Sequence, residues 1–221
     1  DPEMSRGLGD VYKRQVYIVG RSRSYASWIS EEFKLVQDIK EADLAIFTGG
    51  EDVSPELYGD TNVSSYDSPS RDLREVREYL SMPKKLLKVG ICRGAQFLTA
   101  CNGGKLIQDV NLHAGRPHEL LFNDGSVRII TSLHHQMMYP YNLPDDEYEL
   151  IAWSKERLSN KYVTGGAFDI TNTADFKEPE IVYYPKTNSF CIQGHPEMMP
   201  KDLPINTYIN NFVKNHINNY E

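Results

Sequence analysis

At 221 residues the chain has room for one sizeable α/β domain and little space for a second. Hydrophobic residues at 40% and charged residues at 25% are ordinary for a globular protein, and no apolar run approaches the roughly 18–20 residues that a membrane-spanning helix needs. The formal charge of −7 (24 basic against 31 acidic side chains) carries no electrostatic footprint for nucleic acid or an anionic membrane.

Residues 1–15 lack a signal-peptide core and an apolar period, and DVYKRQ looks like a translated sequencing adapter. They are set aside as a non-native leader, leaving 16–221 as a single domain. Val16 to Gly20 then reads as a buried strand. Tyr25 to Leu35 reads as a helix, with Ile29, Phe33 and Val36 at helical spacing. Ala42 to Phe47 is a second strand ending at Thr48-Gly49-Gly50, followed by a polar loop from Glu51 to Ser70. Asp72 to Leu80 has the pattern of an amphipathic helix with Leu73, Val76, Tyr79 and Leu80 inward.

Leu86 to Ile91 is a strand running into Cys92, and Ala95 to Cys101 is a helix closed by Asn102-Gly103-Gly104. This strand–helix alternation predicts a parallel sheet covered by helices. In the second half, His118–Phe122 and Ser126–Thr131 flank the hairpin signal Asn123-Asp124-Gly125. Tyr148–Trp153, Glu180–Tyr184 and Ser189–Gln193 are further strands, while 154–179 is polar and resists assignment. The closing helix has Asp202 as N-cap, Pro204 in its first turn, and Ile205, Tyr208, Ile209, Phe212, Val213 and Ile217 on one face.

Cys92, Cys101 and Cys191 are an odd number at wide spacing, which predicts free thiols and a reducing, cytoplasmic setting. Cys92 stands apart because Gly90-Ile91-Cys92-Arg93-Gly94 has the form of a nucleophile elbow, placing the sulfur at a helix N-terminus where positive potential lowers a thiol pKa. Gln193-Gly194-His195-Pro196-Glu197 ends another strand. An extended H-x-E puts both side chains on one side, so that Glu197 orients His195 and His195 moves the thiol proton. The N–H groups of Arg93 and Gly50 are the candidate oxyanion donors, with Gly49 as the fallback.

Four blocks together resemble the class I glutamine amidotransferase-like superfamily, and within it the γ-glutamyl hydrolase branch of cysteine peptidases, which includes bacterial γ-glutamyl-γ-aminobutyrate hydrolases. They are FTGGEDVSPELYG (47–59), VGICRGAQFLTACNGGKLIQDV (89–110), SLHHQ (132–136) and QGHPE (193–197), with the SRD run at 70–72 in support. The resemblance implies a flavodoxin-like three-layer α/β fold, with a mostly parallel central sheet and an added antiparallel region in the second half. It implies a thioester on Cys92 and a small γ-glutamyl substrate, with Gly49, Gln96 and the 132–136 segment (Ser132, His134 and His135 among them) on the glutamyl side.

His134 and His135 lack a carboxylate or cysteine at ligand spacing, so no metal and no cofactor are expected, and His113 and His118 are left structural. Thr48, Thr131 and Gly194 depart from the family's usual proline, asparagine and aromatic-type residue, and 154–179 follows the pattern poorly. Besides the hydrolase, two readings stay open: a glutaminase subunit giving ammonia to a synthase, and a silent binding module. A homodimer or a synthase partner is compatible with the sequence.

Overall fold

The computed structural model describes residues 14–20, 24–29, 33–166, 168, 170 and 176–218. Residues 1–13 of the expected leader and 30–32 of the expected first helix lie outside them.

In chain order the elements are β1 (Arg14–Val19), α1 (Ser24–Ile29), β2 (Phe33–Leu35), β3 (Leu44–Phe47), α2 (Pro69–Ser81), β4 (Leu87–Ile91) and α3 (Arg93–Cys101). Then come β5 (Lys105–Ile107), β6 (Asp109–Val110), β7 (His118–Phe122), β8 (Val127–Ile130), β9 (Met137–Tyr139) and β10 (Glu149–Ser154). β11 (Tyr162–Val163), β12 (Pro179–Tyr184), β13 (Ser189–Ile192) and α4 (Pro204–Asn218) complete them.

Nine strands form one sheet in the order β2-β1-β3-β4-β13-β12-β10-β7-β8. From β2 to β13 every pairing is parallel, and from β13 to β8 every pairing is antiparallel. β5–β9 and β6–β11 are separate two-stranded ribbons.

Alternation along the strands divides the core between the two faces of the sheet. Val16, Leu44, Ile46, Val89, Ile91 and Ile192 pack with Trp28 and Ile29 of α1 and Ile205, Ile209 and Val213 of α4. Val19, Ala45, Phe47 and Cys191 pack on the other side with Phe97 and Leu98 of α3 and Val76 and Tyr79 of α2. The three layers agree with the fold class expected from the sequence, and the second-half strands supply the antiparallel region.

Four local expectations need correction. Phe33–Leu35, expected as helix, is an edge strand paired with β1, because β1 offers it a free edge to complete. β1 itself starts at Arg14, where Gln15 N–H donates to Asp43 across 2.7 Å. On α2, Leu73 and Leu80 are exposed whereas Asp72 and Glu75 are buried, since those two carboxylates meet arginines inside. The closing helix begins at Pro204, with Leu203 and not Asp202 before it; the fixed φ of proline starts the helix there. Its inward face is the one expected, Ile205, Ile209 and Val213 being buried.

Candidate active site

β4 and β13 lie side by side with Ile91 opposite Ile192, and both strands end at the same edge of the sheet. Cys92 follows one and His195 closely follows the other. The Cys92 N–H still donates to Ile192 across 2.8 Å, after which the backbone turns sharply, with Cys92 at φ 51° and ψ −111°. A non-glycine residue there carries strain, which surrounding contacts must hold. Both flanking glycines are required by space. A Cβ on Gly90 would lie 2.6 Å from the Ala95 nitrogen, and one on Gly94 would fall onto the Phe47 carbonyl of β3. The turn therefore brings α3 close to the sheet and leaves the sulfur at the helix start, where the N–H groups have no helical partner.

His195 is held from two directions. Its backbone N–H donates to the Thr131 carbonyl across 2.8 Å, and its Nδ1 meets Glu197 Oε1 at 2.7 Å. Gly194 fits because Ile130 crowds it: a Cβ there would sit 2.7 Å from Ile130 Cδ1, which accounts for glycine where a larger side chain is usual. Cys92 and His195 meet in space. The point that a Cβ on Gly49 would occupy is 3.3 Å from His195 Cε1 and 3.7 Å from Cys92 Cβ. Burial works against a charged imidazole, but Cys92 and Glu197 more than offset this and raise His195 to about 10.

The loop opposite is arranged by two side chains that sequence reasoning missed. The Tyr25 hydroxyl accepts from the Gly49 N–H at 3.1 Å; burial and the nearby Glu197 push its phenol up. Gly49 N–H is thereby engaged, which leaves Gly50 as the available donor of the pair. Arg71 Nη2 donates to the Gly49 carbonyl at 3.1 Å and to the Thr48 carbonyl at 3.3 Å. A trans peptide points its N–H opposite to its C=O, so this grip fixes where the Gly50 N–H faces. Arg71 also pairs with Glu51 at 2.6 Å and Glu75 at 2.7 Å. The Arg93 side chain, wholly buried, pairs with Asp72 and Glu75. One network thus ties α2, the glycine loop and the elbow together. Its only sequence signal was the SRD run.

The remaining expected site residues lie along one seam. Gln96, one turn into α3, donates from Nε2 to the Gln136 carbonyl at 2.9 Å. Ser132 Oγ is buried with no hydrogen-bond partner among the described residues. His135 is part-exposed and pairs with Asp52 at 3.0 Å and Asp109 at 3.5 Å. His134 is buried, its Nδ1 donating to the Gln136 carbonyl at 2.9 Å and its Nε2 facing Glu180 at 3.5 Å. No carboxylate stands at ligand spacing along the sequence, but the fold brings Glu180 of β12 beside His134, and Asp52 and Asp109 beside His135.

The Peptidase C26 family model matches residues 22–136, more than half of the chain and the part holding Gly49, Gly50 and the elbow. A protein of Lactococcus lactis subsp. lactis provisionally described as glutamine amidotransferase-like, YvdE, is 31% identical over 121 residues, covering 43% of this chain and 50% of that one. The chain spans about half the length of that curated relative; the match to its homolog in subsp. cremoris, also 31% identical, covers 63% of it. Among solved structures, a Thermoplasma acidophilum protein provisionally described as part of a GMP synthase superposes with TM-score 0.61 at 17% identity, over 95% of this chain and 96% of that one. A Thermotoga maritima glutamine amidotransferase superposes with TM-score 0.54 at 11% identity, over 93% and 96%. At such identities the structures speak for the fold alone. With the elbow, the glycine loop and the sheet in agreement, the chain belongs to the Peptidase C26 family and has the class I glutamine amidotransferase-like fold.

Proposed function

We propose that this protein hydrolyses a γ-glutamyl amide through a thioester on Cys92. The Cys92 sulfur attacks the γ-carbonyl carbon, and the oxyanion accepts hydrogen bonds from the N–H groups of Gly50 and Arg93. His195, oriented by Glu197, delivers its proton to the nitrogen as the C–N bond breaks. Water then attacks the thioester, releasing glutamate and restoring the sulfur. Gln96 and Ser132 hold the glutamyl end, the buried Ser132 Oγ, with no partner among the described residues, being available to a polar group of the substrate. His134 already has protein neighbours at both ring nitrogens and is left out of the substrate set.

The observation carrying this reading is the convergence of Cys92 with a buried, carboxylate-held His195 at the end of two adjacent strands. The test is a panel of γ-glutamyl amines and polyglutamates, with glutamine alongside, assayed on the purified chain alone. Steady turnover of γ-glutamyl amines without a partner is expected, falling below about a tenth in Cys92→Ser and in His195→Ala with circular dichroism unchanged. Iodoacetamide should label Cys92 well ahead of the others, because burial pushes the Cys101 thiol up to about 12 and pushes Cys191 up as well. Glutamine turnover only in the presence of a synthase would replace this reading with ammonia delivery. No turnover, with equally slow labelling of all three thiols, would remove Cys92 from the chemistry.

A further inference from the structure

Behind the 131–136 segment lies a cluster that the hydrolytic chemistry does not use. His113, His118 and His134 all turn toward Glu180 on β12, at 3.2, 3.1 and 3.5 Å from its Oε1. Glu178, one inward position earlier in the chain, stands 3.2 Å from the far nitrogen of His113. Both glutamate side chains and those of His113 and His134 are fully buried.

As a set of hydrogen bonds the cluster fits badly. Both His113 nitrogens are within ion-pair distance of a carboxylate, yet neither is aligned for a hydrogen bond. His134 Nε2 and Glu180 Oε2 have no partner among the described residues either. Because His134 Nδ1 must donate to the Gln136 carbonyl, its neutral form presents a lone pair toward Glu180, acceptor against acceptor. Every salt bridge of Glu178 and Glu180 among the described residues goes to an imidazole, none to lysine or arginine. Glu178 does accept from the Leu158 and Ser159 N–H groups and the Tyr162 hydroxyl, and Glu180 Oε1 from His118 Nε2 and Ser154 Oγ, but the unpaired atoms of His113, His134 and Glu180 Oε2 still need an account.

As a set of ligands it fits well. Ring nitrogens of His113 and His134 and an oxygen of Glu180 lie within 4.8 Å of one another. Around a tetrahedral zinc ion with bonds near 2.0–2.1 Å, donor atoms stand about 3.3–3.5 Å apart, and the His113–Glu180 and His134–Glu180 separations are 3.2 and 3.5 Å. The outer contacts also match what ligating histidines use. A backbone carbonyl takes the other N–H of His134, and the Glu178 carboxylate faces the other nitrogen of His113.

We propose that His113, His134 and Glu180 bind a divalent zinc-class ion, with His118 beside them as a further donor. Imidazole with carboxylate suits zinc over magnesium or calcium. The ion fastens three stretches of chain to one another: the residues entering β7, the 131–136 segment and β12. It takes no part in the proposed hydrolysis.

The test uses the full chain carrying Cys92→Ser, so that the elbow thiol contributes no signal. Zinc content after chelator-free purification and Co2+ absorption after metal exchange are measured. About one ion per chain and visible bands of four-coordinate Co2+ are expected, with a rise in Tm of roughly 5–10 °C at a hundredfold excess of Zn2+ over Kd. His134→Asn should lose both the ion and the bands. If that variant does not fold, the Cys92→Ser protein decides alone. Absence of zinc, no Co2+ bands and no movement of Tm with Zn2+ or chelator would overturn the proposal, leaving an imidazole–carboxylate network. An ion retained in folded His134→Asn would overturn it too, by placing the metal elsewhere.

Discussion

His195 titrates at about 10 in the fold against 6.5 for the free group, because burial is outweighed by Cys92 and Glu197. The stabilisation from that shift is complete below about pH 6.5 and is lost as pH rises through about 10, where the folded imidazolium gives up its proton. In the proposed hydrolysis the departing amine takes this proton, so kcat/KM should fall on an alkaline limb near pH 10. Glu197→Gln removes an attracting negative charge, so the limb should move to lower pH while kcat drops less than in His195→Ala; a pH–rate profile of both proteins checks this, and an unmoved limb counts against His195 as proton carrier. At this scale the sequence was informative where chemistry requires a fixed spacing, as in G-I-C-R-G and H-P-E. Tyr25 was not legible and Arg71 was marked only by the SRD run, without a role, because each acts on a backbone group that only the folded chain brings near.

α3 can approach β3 only because position 94 lacks a side chain. Gly94→Ala should cost at least about 1–3 kcal/mol from overpacking, read as a lower urea midpoint with unchanged slope; a neutral effect would mean that the helix is free to move out. Strands β1, β3, β4 and β13 were readable from apolar runs flanked by turn signals, as was the inward face of α4. α2 was not. Its apolar stripe suggested Leu73 and Leu80 inward, whereas buried Asp72 and Glu75 follow from partners, Arg71 and Arg93, whose pairing hydrophobic periodicity does not register. The short ribbons β5–β9 and β6–β11 escaped notice because two- and three-residue strands leave no period to count.

The large sheet recruits strands from both halves of the chain, β4 pairing with β13 at its centre. Such continuity predicts one cooperative unfolding transition, with calorimetric and van't Hoff enthalpies in agreement; two resolved transitions would split the chain into separate units. The α/β class was legible because alternation of strands and helices dictates it, while the extent of the antiparallel wing was not, since its pairings join distant segments. Between β4 and β13 the chain makes a long excursion through that wing and returns one strand away from where it left. The distance separating sulfur from imidazole is thus set first by the spacing of neighbouring strands, and from the detour Ile130 and Thr131 bear on how His195 is held. Length changes in the parts of that stretch that do not touch His195 or Gly194 should therefore leave Cys92 and His195 facing each other.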